Sequence, residues 1–292
     1  MRSFGRVITA MVTPMNADLS VDYARAAELA KHLTASGSDA LVVSGTTGES
    51  PTLTVQEKLK LFETVVGAVG DTVPVIAGTG SYNTAETIQL SREAQETGVH
   101  GLLLVTPYYN KPPQEGLYQH FKTVAGAVKL PCILYNVPSR TAINLAPQTT
   151  LRLARVENIV GIKECGDLGQ LTEILNGAPE GFTVWSGDDA ATLPYLALGA
   201  HGIVSVASHI VGPQMQEMIA AFAAGQTAQA ANWHRRLHPV FKGLFAVTNP
   251  VLVKAALAMT GFDVGPVRPP LVEATGAEQE ALREVLASGG LL

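Results

Sequence analysis

Arg6-Val7-Ile8-Thr9-Ala10-Met11-Val12, followed at once by Thr13-Pro14-Met15-Asn16, is the stretch that decides the fold. The first seven residues are mostly apolar and rich in β-branched side chains, without the alternation of a half-exposed strand. They read as a strand of a parallel sheet buried on both faces. The four residues after it contain no glycine. An open, doubly wound sheet that binds a dinucleotide needs a glycine-rich turn there, where backbone must approach a pyrophosphate. The other way to bury parallel strands on both faces is a closed (β/α)8 barrel.

Seven more runs of this kind follow: Ala40–Ser44, Val73–Ala77, Gly101–Thr106, Cys132–Val137, Ile159–Lys163, Phe182–Ser186 and Gly202–Val206. Helical patterns lie between them, among them Asp22–Thr34, Thr54–Val69 and Thr84–Thr97. Thr54 with Glu57 reads as a capping box, and Gly70 and Gly98 as C-caps. Eight strand–helix units in about 220 residues predict an α/β fold, a (β/α)8 TIM barrel over residues 1–224. After Gly225 the rhythm stops. Thr227–Val247, Pro250–Met259 and Glu273–Leu286 read as helices without strands, a C-terminal helical extension treated as a second domain, 225–292. Gly265-Pro266-Val267-Arg268-Pro269-Pro270 reads as a rigid loop inside it.

Of the 292 residues, 47% are hydrophobic, enough for a large core and incompatible with disorder. The net charge of −5 and the lack of a basic stripe argue against a nucleic-acid or membrane-surface protein. Arg2 and Arg6 precede only a short apolar run stopped by Pro14, unlike an export signal. No run approaches the roughly 18 apolar residues of a membrane span, so the expected location is the cytoplasm. Cys132 and Cys165 fall at opposite ends of neighbouring strands, so no disulfide is expected. The seven histidines form no metal pattern: His234 and His238 have helical spacing but no paired acid. Asp188-Asp189 are expected to cap a helix, and no metal is expected.

A barrel carries its chemistry just after its strands. Lys163 ends the apolar run Ile159-Val160-Gly161-Ile162, where a lysine rarely sits without a partner or a purpose. One purpose is attack on a carbonyl to form a Schiff base. At an ordinary pKa only about one lysine in 2,500 is neutral at pH 7, and a drop of roughly three units corresponds to about 4 kcal/mol, which burial can supply. The structural alternatives are a salt bridge with Glu164 or a head reaching water at the rim. Tyr135 ends the preceding strand, where its phenol would stand beside Lys163 and could shuttle protons; a core tyrosine is the competing reading. Gly45-Thr46-Thr47-Gly48-Glu49-Ser50 makes a turn whose free N–H groups could hold a carboxylate. Tyr108-Tyr109-Asn110, in a proline-rich loop, suggests a site or a subunit contact. Arg140 follows Tyr135, and its planar fork suits a carboxylate.

Together these windows resemble the dihydrodipicolinate synthase and N-acetylneuraminate lyase superfamily of class I aldolases. The resemblance covers nearly the whole chain. It runs from Ile8-Thr9-Ala10-Met11-Val12-Thr13-Pro14-Met15 through Gly45-Thr46-Thr47-Gly48-Glu49-Ser50 and Ile76-Ala77-Gly78-Thr79-Gly80. It continues through Tyr135-Asn136-Val137-Pro138 and Gly161-Ile162-Lys163-Glu164 to Ser186-Gly187-Asp188-Asp189. It implies a lyase in which Lys163 forms a Schiff base with pyruvate and Tyr135 is the central acid/base. Thr46 and Tyr109 would complete the proton relay, with Tyr109 reaching in from a neighbouring subunit. Thr47, Val204 and Gly187 would bind substrate. Arg140 favours the synthase branch, where an arginine holds the carboxylate of L-aspartate 4-semialdehyde. The implied reaction condenses the two substrates to 4-hydroxy-tetrahydrodipicolinate, in lysine and diaminopimelate biosynthesis, with no cofactor beyond the covalent pyruvate.

The alternatives are another Schiff-base aldolase, acting on a 2-keto-3-deoxy sugar acid or N-acetylneuraminate, and a non-catalytic barrel. The resemblance also implies a homotetramer built as a dimer of dimers. It implies an effector site for lysine at Ser50, Pro51, Val55, Lys58, Tyr82, Glu86 and Tyr108. Lysine-sensitive relatives often carry histidines where Val55 and Lys58 stand and asparagine where Tyr82 stands. A cationic Lys58 would repel the ligand, so weak or absent lysine inhibition is expected.

Overall fold

The computed structural model describes residues 3–292. Its elements run β1 (Val7–Ala10), α1 (Tyr23–Ala35), β2 (Ala40–Val43), α2 (Val55–Val69), β3 (Val75–Gly78), α3 (Thr84–Glu96) and β4 (Gly101–Val105). Next come α4 (Gln114–Gly126), β5 (Cys132–Asn136), α5 (Pro138–Thr141), α6 (Pro147–Leu153), β6 (Ile159–Glu164), α7 (Leu168–Gly177) and β7 (Thr183–Ser186). The chain ends with α8 (Thr192–Leu198), β8 (Gly202–Ser205), α9 (Ser208–Ala223), α10 (Thr227–Gly243), α11 (Val251–Met259) and α12 (Gly276–Ser288). The strands pair in parallel, in sequence order, and β8 closes on β1. The expected barrel is the one observed.

Why the strands lack alternation is visible in the core, which has two compartments. Val7, Leu41, Val75, Leu102, Leu134, Ile162 and Val184 pack outward against the helices. Ile8, Val42, Ile76, Leu103, Ile133, Tyr135, Trp185 and Val204 fill the barrel. Both faces of each strand are therefore apolar. Trp185 closes the end opposite the site, with its Nε1 donating to the Gly5 carbonyl at 2.9 Å and its ring edge-on to Phe4.

Boundaries follow local chemistry. Thr54 caps α2, and the reciprocal bond from Glu57 completes the expected capping box. Strand β3 starts at Val75 rather than Val73, because Pro74 has no N–H to give the ladder. Gly98 is left-handed (φ +83°) just past α3, whereas Gly70 keeps helical angles (φ −59°). At Gly70 the reason is space, since a Cβ would lie 2.6 Å from the Val66 carbonyl oxygen. Beyond α9, helices α10 and α11 pack on α9 and α12 packs on both of them, with no strand among them. No helix among the described residues is long and apolar enough to cross a membrane.

Candidate active site

The register of β5, β6 and β7 builds the center of the site. Tyr135 pairs with Lys163, and Lys163 with Trp185, so all three side chains share the inner face. Glu164, one residue on, must point outward. There it accepts from Asn136 Nδ2 (2.8 Å), Gly166 N (2.6 Å) and Gln170 Nε2 (3.0 Å). The Glu164 salt bridge considered for Lys163 is thus absent for a reason of parity. Lys163 is only 5% exposed, so it does not reach out to water either. Its ammonium lies 4.4 Å from the center of the Tyr135 ring.

Electrostatics there favor a neutral amine. Burial pulls Lys163 below the ordinary lysine range; Cys165 and Asp189 oppose the shift and Arg140 assists it. Burial, with Cys165, pushes the Tyr135 phenol well up, against the pull of Arg140 and a side-chain hydrogen bond with Thr46. At neutral pH Tyr135 therefore holds its proton and can donate it. Thr46 shares a side-chain hydrogen bond with the Tyr135 phenol.

The other expected residues arrive on neighboring loops, on the short helix α5 and on β8. Thr47 is buried beyond β2, and its Oγ1 accepts from Asn249 Nδ2 at 2.8 Å. Arg140 sits on α5 and lines one cavity of about 620 Å³ together with Thr46 and Tyr135. Val204 lies on β8 inside the barrel with Tyr135 and Trp185. Gly187 follows β7, where a Cβ would fall 2.2 Å from Cys165 Sγ and 3.0 Å from Lys163 Cε. Its place is set by crowding against the Cys165 sulfur first and the lysine stem second. The same cavity continues outward past Ser50, Pro51, Val55, Lys58, Tyr82, Glu86 and Tyr108, so the expected effector residues share one cleft with Tyr135. Burial lowers Lys58, and the nearby Glu86 opposes that.

Tyr109 is 88% exposed, with φ at +71°, and, like Lys163, Thr47, Val204 and Gly187, it is not among the residues lining this cavity. A bulky side chain in that conformation is uncommon and marks a strained turn.

One expectation is corrected. Asp188 does cap the turn after β7, accepting from Ala190 N at 2.9 Å. Asp189 does not cap. It is buried and accepts from Ser205 Oγ, Val206 N (3.1 Å) and Ala207 N (2.9 Å), tying the β7 loop to the end of β8. The loop after β8 has N–H groups that need an acceptor, and they outcompete the helix end.

A second buried cation was missed. Lys254 on α11 pairs with Glu49 at 2.6 Å, both almost fully buried, and donates to the Pro266 carbonyl at 2.7 Å. Arg268 N donates to Glu49 at 2.7 Å, and its guanidinium grips Glu57 and the Leu19 and Thr52 carbonyls. The C-terminal helices thus clamp the loop that carries Thr46 and Thr47. The signal was present: Lys254 stands inside the apolar run Val251-Leu252-Val253-Lys254-Ala255-Ala256-Leu257, as Lys163 does in its strand. Both cysteines are free. Among the described residues no cluster of three or more His, Cys, Asp or Glu side chains could hold a metal ion.

The class defined by this arrangement is a (β/α)8 barrel whose strand ends set a buried amine against a protonated phenol. The model of the dihydrodipicolinate synthetase family matches residues 3–288, and the chain belongs to that family. A Symbiobacterium thermophilum protein named 4-hydroxy-tetrahydrodipicolinate synthase is 74% identical, with each chain covered in full. Among solved structures, dihydrodipicolinate synthase DapA-2 of Bacillus anthracis superposes with a TM-score of 0.97 at 50% identity, over 99% of both chains. The Cyanidioschyzon merolae enzyme, solved with lysine bound, gives 0.97 at 47% identity, again over 99% of both.

Proposed function

We propose that this chain condenses pyruvate with L-aspartate 4-semialdehyde to give 4-hydroxy-tetrahydrodipicolinate, serving lysine and diaminopimelate synthesis in the cytoplasm. The observation that carries the reading is the buried Lys163, without an ion pair among the described residues and held against Tyr135. Membership of a family whose relatives bear that activity in their name supports it.

In this reading the Lys163 amine attacks C2 of pyruvate, and the carbinolamine loses water to give a Schiff base. A proton leaves the methyl group, and the resulting enamine attacks the aldehyde carbon. The substrate's amine then attacks C2 and releases Lys163 as the ring closes. Each step moves a proton to or from oxygen, carbon or nitrogen, including from the attacking amine to the departing Lys163 nitrogen, and Tyr135 with Thr46 would carry it. Thr47 would hold the pyruvate carboxylate, with Val204 and Gly187 beside the adduct. Arg140 would hold the carboxylate of the semialdehyde, a match for its fork. The steps use only an amine, a phenol and hydroxyls, so no dissociable cofactor is called for.

Exposed, strained Tyr109 fits a role in a neighboring subunit's cavity, which requires at least a dimer; we assign a homotetramer made of two dimers. Chemistry falls to residues 1–224, and residues 225–292 supply the clamp. Purified protein should consume pyruvate with aspartate semialdehyde, but not with N-acetylmannosamine, and Lys163→Ala should abolish turnover. Silence with the semialdehyde would overturn the assignment.

A further inference from the structure

Asn249 lies between α10 and α11, outside the barrel, yet it is only 5% exposed. Its Nδ2 donates to Thr47 Oγ1 at 2.8 Å, and its backbone carbonyl lies 3.5 Å from an Arg140 guanidinium nitrogen that donates to it. Its Oδ1 is buried without a hydrogen-bond partner. One residue of the C-terminal segment therefore touches both residues proposed to hold the substrates' carboxylates, one on the β2 loop and one on α5.

A threonine hydroxyl has one proton and two acceptor sites. With an amide N–H occupying an acceptor site, the proton remains available to another acceptor. A carboxylate only accepts. We infer that Asn249 is a positioning residue for this reaction, its amide holding the Thr47 hydroxyl with the proton turned toward the pyruvate carboxylate. The inference rests on the proposed pyruvate site. The buried Oδ1 is the cost of this orientation. If the amide turned over, Oδ1 would take the Thr47 proton, and Thr47 would have none to give. An aspartate in place of Asn249 makes that reversed polarity permanent while preserving shape and contact.

The test is a set of variants, Asn249→Ala and Asn249→Asp, each alone and combined with Thr47→Val. The readouts are KM for pyruvate, kcat and the melting temperature. A hydrogen bond to a charged group corresponds to about tenfold or more in affinity. Both single variants should raise the pyruvate KM by about tenfold while kcat stays within about threefold. In the Thr47→Val background the same changes should add less than about twofold, since neighbors that act as a unit are not additive.

A tie that only braces the loop would leave Asn249→Asp close to wild type, and that result overturns the inference. So does an equal effect in both backgrounds, because the introduced carboxylate would then act through its own charge and not through Thr47. If Asn249→Ala does not fold, Asn249→Asp and its combination with Thr47→Val decide the matter. Failure of the wild-type protein to form a borohydride-trapped pyruvate adduct would instead sink the pyruvate reading, before any variant is made.

Discussion

Replacing Gly187 by alanine tests how tightly the site around Lys163 is built. A methyl group there would sit 2.2 Å from Cys165 Sγ, 3.0 Å from Lys163 Cε and 3.1 Å from Lys163 Cγ. Such atoms settle at about 3.5–4.0 Å, so the sulfur must retreat by more than about 1 Å and the lysine stem by about half that or more. Overpacking of this kind costs about 1–3 kcal/mol of stability, and displacement of a reacting group by about 1 Å can cost about 100-fold in rate. Gly187→Ala should fold, melt a few degrees lower, and form a borohydride-trapped pyruvate adduct about 100-fold more slowly by intact-mass spectrometry. The sulfur makes the worst clash, so adding Cys165→Ala should recover at least about tenfold of that loss. Cys165→Ala alone should react at least as fast as wild type, because burial pushes its thiol up to about 12 and leaves it unreactive, and its removal takes away one group that opposes the fall at Lys163. Wild-type trapping by Gly187→Ala would refute the crowding argument.

Lys254→Met strands the Glu49 carboxylate in a buried place and should cost about 3–5 kcal/mol in chemical denaturation, with partial recovery on adding Glu49→Gln. A loss under about 1 kcal/mol would deny the clamp its role. The Arg268 guanidinium holds the Glu57 carboxyl down to about 2, against an ordinary value of 4.5. Its contribution is therefore complete above pH 4.5 and is lost as pH falls toward 2. The stability gap between wild type and Glu57→Gln should be constant near neutrality and close over that acid range; a gap independent of pH contradicts this. Lys58 places a positive charge beside Glu86 in the outer cleft, so submillimolar lysine should leave turnover unchanged, and half-inhibition at such a concentration contradicts the expectation.

The barrel was legible because strands buried on both faces leave continuous apolar runs, a signal local to each strand. Lys163 and Tyr135 were legible for the same reason, since polar groups ending such runs stand out. Asp189 was misread because its partners lie on the next strand's loop, and helix capping is the only role that sequence neighbors suggest. The bond between Asn249 and Thr47 joins residues 202 apart, a separation that leaves no periodic trace. Strand β3 began late because of a single proline, a local rule that the run of apolar residues concealed. Tyr109 was flagged by its proline-rich loop, but the role proposed for it depends on a second chain.

The most direct test of the central claim is to incubate the protein with pyruvate, reduce with borohydride, digest, and map the modified lysine by mass spectrometry. Lys163 and Lys254 are both buried, and burial lowers both below the ordinary range, so they are the two residues to compare. The account predicts an adduct on Lys163 and none on Lys254, whose amine is held by Glu49. An adduct on Lys254, or no adduct on any lysine, would contradict it.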